Sequence, residues 1–84
     1  MNHTIHKVVS PLMGTFYRSP DPDADPFVRV GQTVNPGDVV CVIESMKIFT
    51  ELRTEKAGTI KSILVEDEDA VMKNQALIEI EADA

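Results

Sequence analysis

Tryptophan is missing from this 84-residue chain, and cysteine, tyrosine and glycine are scarce, at one, one and four residues. The single thiol, Cys41, cannot close an internal disulfide, and it sits in the apolar run of residues 39–43, as a buried structural thiol would. Such cysteine usage points to a reducing, cytosolic compartment. No apolar run approaches the ~20 residues of a membrane-spanning helix, and no h-region of a secretory signal follows Met1. Basic residues are outnumbered eight to fourteen, and the formal charge of −6 argues against nucleic acid or an anionic membrane as partner. This length supports one small domain with a modest core.

Constellations that carry catalysis are equally sparse. His3 and His6 have no cysteine or carboxylate cluster at ligand spacing, so no metal is expected. Ser45 lacks a nucleophile elbow and an internal histidine base. The glycines are spread out and none opens a phosphate loop. The acidic run of residues 66–69 lacks the glycine and distal glutamate of an EF-hand and reads as a solvated turn. With no acid–base pair, the chain is not expected to be an enzyme by itself.

What is present is a degenerate internal repeat. VGQTVNPGDVVCVIE, from Val30, matches DEDAVMKNQALIEIE, from Asp67, at an offset of 37, with Val34 on Val71, Val40 on Leu77, Ile43 on Ile80 and Glu44 on Glu81. Gly37 falls on Asn74, the non-glycine residue that best tolerates left-handed backbone. Earlier, GTF from Gly14 matches GTI from Gly58 at an offset of 44, so the first copy carries seven extra residues between Thr15 and Val34. β-Branched residues dominate around Val8 and at residues 15–17, 39–43, 59–65 and 76–80, with Gly and Pro between them. In the second copy Ile60, Ser62 and Leu64 alternate with Lys61, Ile63 and Val65. Two such sets predict two antiparallel sheets related by a pseudo-twofold axis, packed as a flattened barrel or sandwich.

Two local features stand out from this frame. The stretch ESMK, residues 44–47, joins the copies, and two readings compete for it. Ser45 caps a short helix with Met46, Phe49 and Leu52 on one face, or residues 39–43 and 48–53 form a hairpin with Met46 and Lys47 as its loop. A compact all-β chain favours the hairpin, although its tip lacks the Asn or Gly that tight hairpins prefer. Rule-breaking turns tend to fall at functional sites. A lysine at such a tip, between apolar Met46 and Ile48, is suited to acylation by another enzyme. The second feature is RSPDPDADP, residues 18–26, whose three prolines exclude a central strand. It reads as a stiff projecting loop, either an ordinary acidic surface loop or a functional one.

At these residues a resemblance becomes specific. ESMK between two β-rich copies resembles the E-A/S-M-K attachment motif of biotinyl domains, in the biotin/lipoyl attachment family. SPLMGTFYRSPDPDADPFVRVGQTVNPGD is similar to the carrier type of acetyl-CoA carboxylase, which has an extra "thumb" after M-G-T-F-Y. The likeness runs from about His6 to Glu81. It implies an all-β fold of two four-stranded sheets, a single biotinyl domain over residues 1–84, and a thumb at about 18–26. It further implies biotin on Lys47, attached by a biotin protein ligase using ATP. Glu44, Ser45, Met46 and Ile48 would be the residues that the ligase reads, and Ser19, Pro20, Asp21 and Pro22 the thumb contacts to biotin. Ile48 departs from the Met that commonly follows the lysine, and Ser45 replaces the commoner Ala.

The implied role is transport. A biotin carboxylase would load the attached biotin, and a carboxyltransferase would make malonyl-CoA for fatty acid synthesis, in the cytoplasm. The family's carriers place an Ala/Pro-rich arm before this domain, which leaves two readings here: a piece of a longer carrier, or a carrier that docks without the arm. Against the carrier reading stand a biotinyl domain of another carboxylase, a lipoyl domain, or an unmodified β-sandwich that serves as an interaction module.

Overall fold

Short β-branched stretches separated by turn residues become eight strands and no helix among the described residues. The computed structural model describes residues 3–83, with side chains for 4–82. The strands are β1 (His3–Val9), β2 (Gly14–Tyr17), β3 (Thr33–Val34), β4 (Val39–Ser45), β5 (Ile48–Arg53), β6 (Gly58–Ile63), β7 (Ala70–Val71) and β8 (Ala76–Asp83). One four-stranded sheet has the order β1-β8-β6-β3 and the other β5-β4-β2-β7, with every described pairing antiparallel. This is the expected flattened all-β sandwich. No described helix is long and apolar enough to cross a membrane.

The repeat is visible in the pairing itself. β2 faces β4 with Phe16 opposite Ile43, and β6 faces β8 with Ile60 opposite Ile80. These four side chains are at most 1% exposed and form the centre of the core with Val34, Val71 and Leu77. Turns match as well. Gly37 and Asn74 both adopt positive φ (94° and 71°), as their alignment predicts. Gly31 and Glu68 form a second such pair (93° and 71°), which the sequence does not announce because Glu is not a left-handed residue by preference. The Ser10 N–H donates to the Gln75 carbonyl at 2.9 Å, and its counterpart Thr54 N–H donates to the Asp38 carbonyl at 3.0 Å.

Backbones approach most closely at the paired glycines that open β2 and β6. A Cβ on Gly58 would lie 2.4 Å from the Glu81 carbonyl oxygen and 2.9 Å from Ile80 Cγ2. On Gly14 it would meet the Glu44 oxygen and Ile43 Cγ2 at the same distances. The alternation expected along residues 59–65 is interrupted. Register shifts between Ile60 and Ser62 against β8, the strand ends at Ile63, and Ile63 packs on the core while Leu64 is exposed. A bulge inserts an extra residue and turns the following side chains to the other face. The same device on β4, between Val39 and Cys41, lets both Val40 and Cys41 join the core.

His6 is half-buried in β1 and pairs with Ile80, whereas the side chain of His3 lies outside the described residues. Among the described residues no three His, Cys, Asp or Glu side chains gather as a metal site.

Two measurements follow from this packing. Gly58→Ala forces backbone apart and should lower stability in urea unfolding by ~2 kcal/mol or more, whereas Gly31→Ala, with no atom within 4 Å of the new Cβ, adds only backbone strain of ~1 kcal/mol. Equal losses would contradict the close approach. Burial pushes the Cys41 thiol up to about 12. The stability this confers is full below the ordinary thiol range and is lost as pH rises toward 12. Iodoacetamide at pH 8 should leave the native protein unmodified and alkylate the urea-unfolded chain once; native alkylation would place the thiol in solvent.

Candidate functional site

β4 and β5 pair down to Glu44 opposite Phe49 and Ser45 opposite Ile48, leaving two residues to reverse the chain. Both of them, Met46 and Lys47, adopt positive φ (52° and 64°). The hairpin reading therefore holds over the helical one. Two successive left-handed residues match the twist of the strands that they join. Neither is Gly or Asn, so each carries strain of ~1 kcal/mol or more. Glu44 offsets part of it. Its Oε2 accepts the Lys47 N–H at 2.8 Å, satisfying a donor that the ladder cannot reach. Sequence reasoning gave Glu44 only a place in a motif; the available signal was an acceptor three residues before a turn amide with no partner.

The tip is strongly exposed. Met46 is 90% accessible, Ile48 67% and Phe49 66%, and Lys47 stands in solvent between the first two. Ser45, in the last ladder pair, is half-buried. The Lys47 amine forms no hydrogen bond or ion pair among the described residues. The arrangement can hold out one free amine, flanked by apolar surface, at a fixed place on a rigid body.

Residues 18–26 form a loop with its own internal bonds. Its base is closed by the Phe27 N–H donating to the Arg18 carbonyl at 2.8 Å, and the Arg18 N–H is anchored on Asp67 Oδ1 at 3.0 Å. Asp21 shapes the tip, accepting the Asp23 N–H on its carboxylate (2.9 Å) and the Ala24 N–H on its carbonyl (3.1 Å). Ser19 is buried, and its hydroxyl donates to the same carbonyl at 2.9 Å. Pro20, Asp21 and Pro22 are exposed. The loop overhangs the outer face of the β5-β4-β2-β7 sheet, enclosing a groove of about 890 Å³. Ser19, Pro20, Asp21 and Pro22 line one side, and Tyr17, Val42 and Phe49 the other. Its cover explains why Val42, outside the core cluster, is only 8% exposed. Phe49 leans toward Tyr17, their ring centres 6.4 Å apart. The structure thus brings the four loop residues singled out from sequence to a groove that reaches Phe49, two residues from Lys47. Lys47 is not itself part of its wall.

A biotin/lipoyl family model, described as "Biotin-requiring enzyme", matches residues 6–80. The chain belongs to this family. Similar relatives include the biotin carboxyl carrier protein of acetyl-CoA carboxylase from Haemophilus influenzae, 50% identical over 76 residues, covering 90% of this chain and 49% of that protein. The carrier of the same name from Pseudomonas aeruginosa is 47% identical over 73 residues, covering 87% and 47%. This biotin/lipoyl family chain spans about half the length of those two relatives. Among solved structures, the Kluyveromyces lactis urea carboxylase superposes with a TM-score of 0.76 at 26% identity, covering 92% of this chain and 6% of that one.

Strain at the tip of this β4–β5 hairpin makes a prediction that is independent of any ligand. The double substitution Met46→Asn with Lys47→Gly installs residues that favour left-handed backbone, and should stabilise the fold by ~1 kcal/mol or more in urea unfolding. Loss of stability would mean that the turn is not strained.

Proposed function

We propose that Lys47 is the attachment site for biotin, and that the chain is the biotin-carrying domain of an acetyl-CoA carboxylase. One observation carries this reading: a lysine amine with no bond among the described residues, at the tip of a strained hairpin with apolar Met46 and Ile48 beside it. A fold that only needed to reverse direction would use Asn-Gly there. The names of the relatives support the choice of complex, and a loop that overhangs the sheet beside the hairpin supports reading residues 18–26 as the thumb that the resemblance implies. In this reading residues 1–84 are one biotinyl domain, with residues 18–26 as thumb, and the protein is cytoplasmic.

The chain performs no bond making or breaking. A biotin protein ligase, using ATP, joins the Lys47 amine to the biotin carboxyl group as an amide. When bound, biotin supplies the site at which a carboxyl group is carried from biotin carboxylase to carboxyltransferase, for malonyl-CoA formation. Everything else belongs to this chain's residues. Glu44 holds the Lys47 amide and so fixes the direction in which the stem leaves the body. Ser45, Met46 and Ile48 are the surface that the ligase reads. Ser19, Pro20, Asp21 and Pro22 offer the tethered ring a wall, and three prolines in residues 18–26 make that wall cheap to keep ordered. Tethering to a rigid body keeps the cargo at high local concentration for both active sites.

Intact-mass analysis after incubation with ligase, ATP and biotin should show one added biotin, and none for Lys47→Arg, which keeps the charge but not an acylatable amine. Biotin on Lys61 or Lys73 would overturn the assignment. Replacing residues 19–26 by a short glycine turn should leave the fold and biotin attachment intact. It should loosen the ring, read from the NMR order of its ureido protons, and lower malonyl-CoA formation. Equal ring order and equal turnover would reduce the segment to an ordinary surface loop.

A further inference from the structure

The pseudo-twofold axis gives this molecule an internal control. It carries the hairpin end of the sandwich onto the end where β1 begins and β8 finishes, so each exposed position near Lys47 has a twin with the same backbone role. Met13, before Gly14, is twinned with Ala57, before Gly58. Met72, after Val71, is twinned with Asn35, after Val34. All four are exposed. The roles of the last pair are the same in detail: the Met72 N–H donates to Gln75 Oε1 at 2.9 Å, and the Asn35 N–H donates to Asp38 Oδ2 at 2.9 Å. The fold is therefore satisfied by Ala and Asn at these places. It does not require methionine.

Strand order puts those methionines beside the tip. Gly14 pairs with Val71, so Met13 and Met72 are neighbours just past the β2–β7 ladder. The last β2–β4 pair, Thr15 opposite Glu44, lies two residues from Met13 on one strand and two from Met46 on the other, so both methionines sit at the hairpin end of the sheet. Three of the chain's four methionines thus form a row across one end of the sheet, 90%, 62% and 61% exposed at Met46, Met13 and Met72. On a chain with net charge −6, this row is an uncharged ledge continuous with Lys47. Flexible thioether side chains adapt to an opposing surface, which suits a contact that forms and breaks.

Resting on the attachment reading above, we propose that the Met13–Met72 ledge is a docking surface for the enzyme that acylates Lys47. Geometry selects this partner. An acylating enzyme must bring its activated carboxyl group to Nζ itself, within one lysine stem of the hairpin, so its surface comes down on whatever flanks the tip. Enzymes that act on the far end of an attached biotin stand off by the length of the whole tether. The ledge lies within reach of the first and outside the need of the second.

The test uses initial rates of biotinylation of the whole chain by biotin protein ligase, ATP and biotin. The variant is Met13→Ala with Met72→Asn, exchanging each methionine for the residue found at its twin. Its kcat/KM should fall roughly ten-fold, the change that ~1.4 kcal/mol of lost contact makes. The fall should come through KM, with the melting temperature unchanged and the end-point mass still showing one biotin. Met72→Asn alone should fall about three-fold, as half of that contact. Leu64→Asn, which removes an exposed apolar side chain elsewhere, should not change the rate. An unchanged kcat/KM in the double variant, or an equal fall in Leu64→Asn, overturns the ledge. So does a normal ligation rate with slowed carboxylation of the pre-biotinylated variant, which would assign the surface to another partner. A parent chain that takes no biotin at all instead overturns the attachment reading on which the proposal rests.

Discussion

The register of β4 is the constraint from which the site descends. Ile43 must point inward, beneath the position where Gly14 leaves room for it, and its twin Ile80 does the same beneath Gly58. A slip of one residue would send Ile43 to the solvent face and bring Glu44 into the core. With Ile43 fixed, Thr50 is its partner on β5, and the ladder has room for only two residues between Ser45 and Ile48. Met46 and Lys47 are forced into left-handed backbone by this arithmetic, and the Glu44 carboxylate accepts the amide that the turn leaves without a partner. The exposed lysine is thus a consequence of core packing one turn away. Its position is as rigid as the register.

Symmetry separates what folding needs from what is added to it. Both halves use the same ladders, the same positive-φ turns and the same glycine approach, and both ends of the body could have carried a polar rim. Among the described residues, one end has Met13, Met46, Ile48, Phe49 and Met72 in solvent, whereas the other exposes Ile5, and the overhanging loop belongs to the half with the methionines. Apolar exposure on this scale is unfavourable in isolation and gains meaning when it is covered. The loop covers part of it, over Val42, and leaves the tip free. Function is written here as a departure from a repeat.

Much of this was legible in the residues. Offsets of 37 and 44 contained the two-sheet architecture, and the Gly37–Asn74 match foretold a shared left-handed turn. The proline-rich segment announced a loop outside the sheets, since prolines cannot donate to a ladder. Other features were not legible, for physical reasons. Bulges at Ile60–Ser62 and Val39–Cys41 reset the alternation, and nothing in a β-branched run marks where an extra residue will be inserted. Glu68 takes positive φ because its tertiary position requires it, against its own preference. The hydrogen bond of Glu44 depends on the turn it supports. Met13 and Met72 are 59 residues apart in sequence and meet only once the strand order β4-β2-β7 is known.

The central claim is that the turn presents one position for acylation, rather than an exposed lysine being sufficient. Exchanging the two tip residues, Met46→Lys with Lys47→Met, keeps composition, charge, exposure and both left-handed conformations, and moves the amine by one residue. Peptide mass mapping after incubation with ligase, ATP and biotin tests the claim directly. The account predicts a folded protein with no biotin on the moved lysine. Biotinylation there at the parent rate would contradict it.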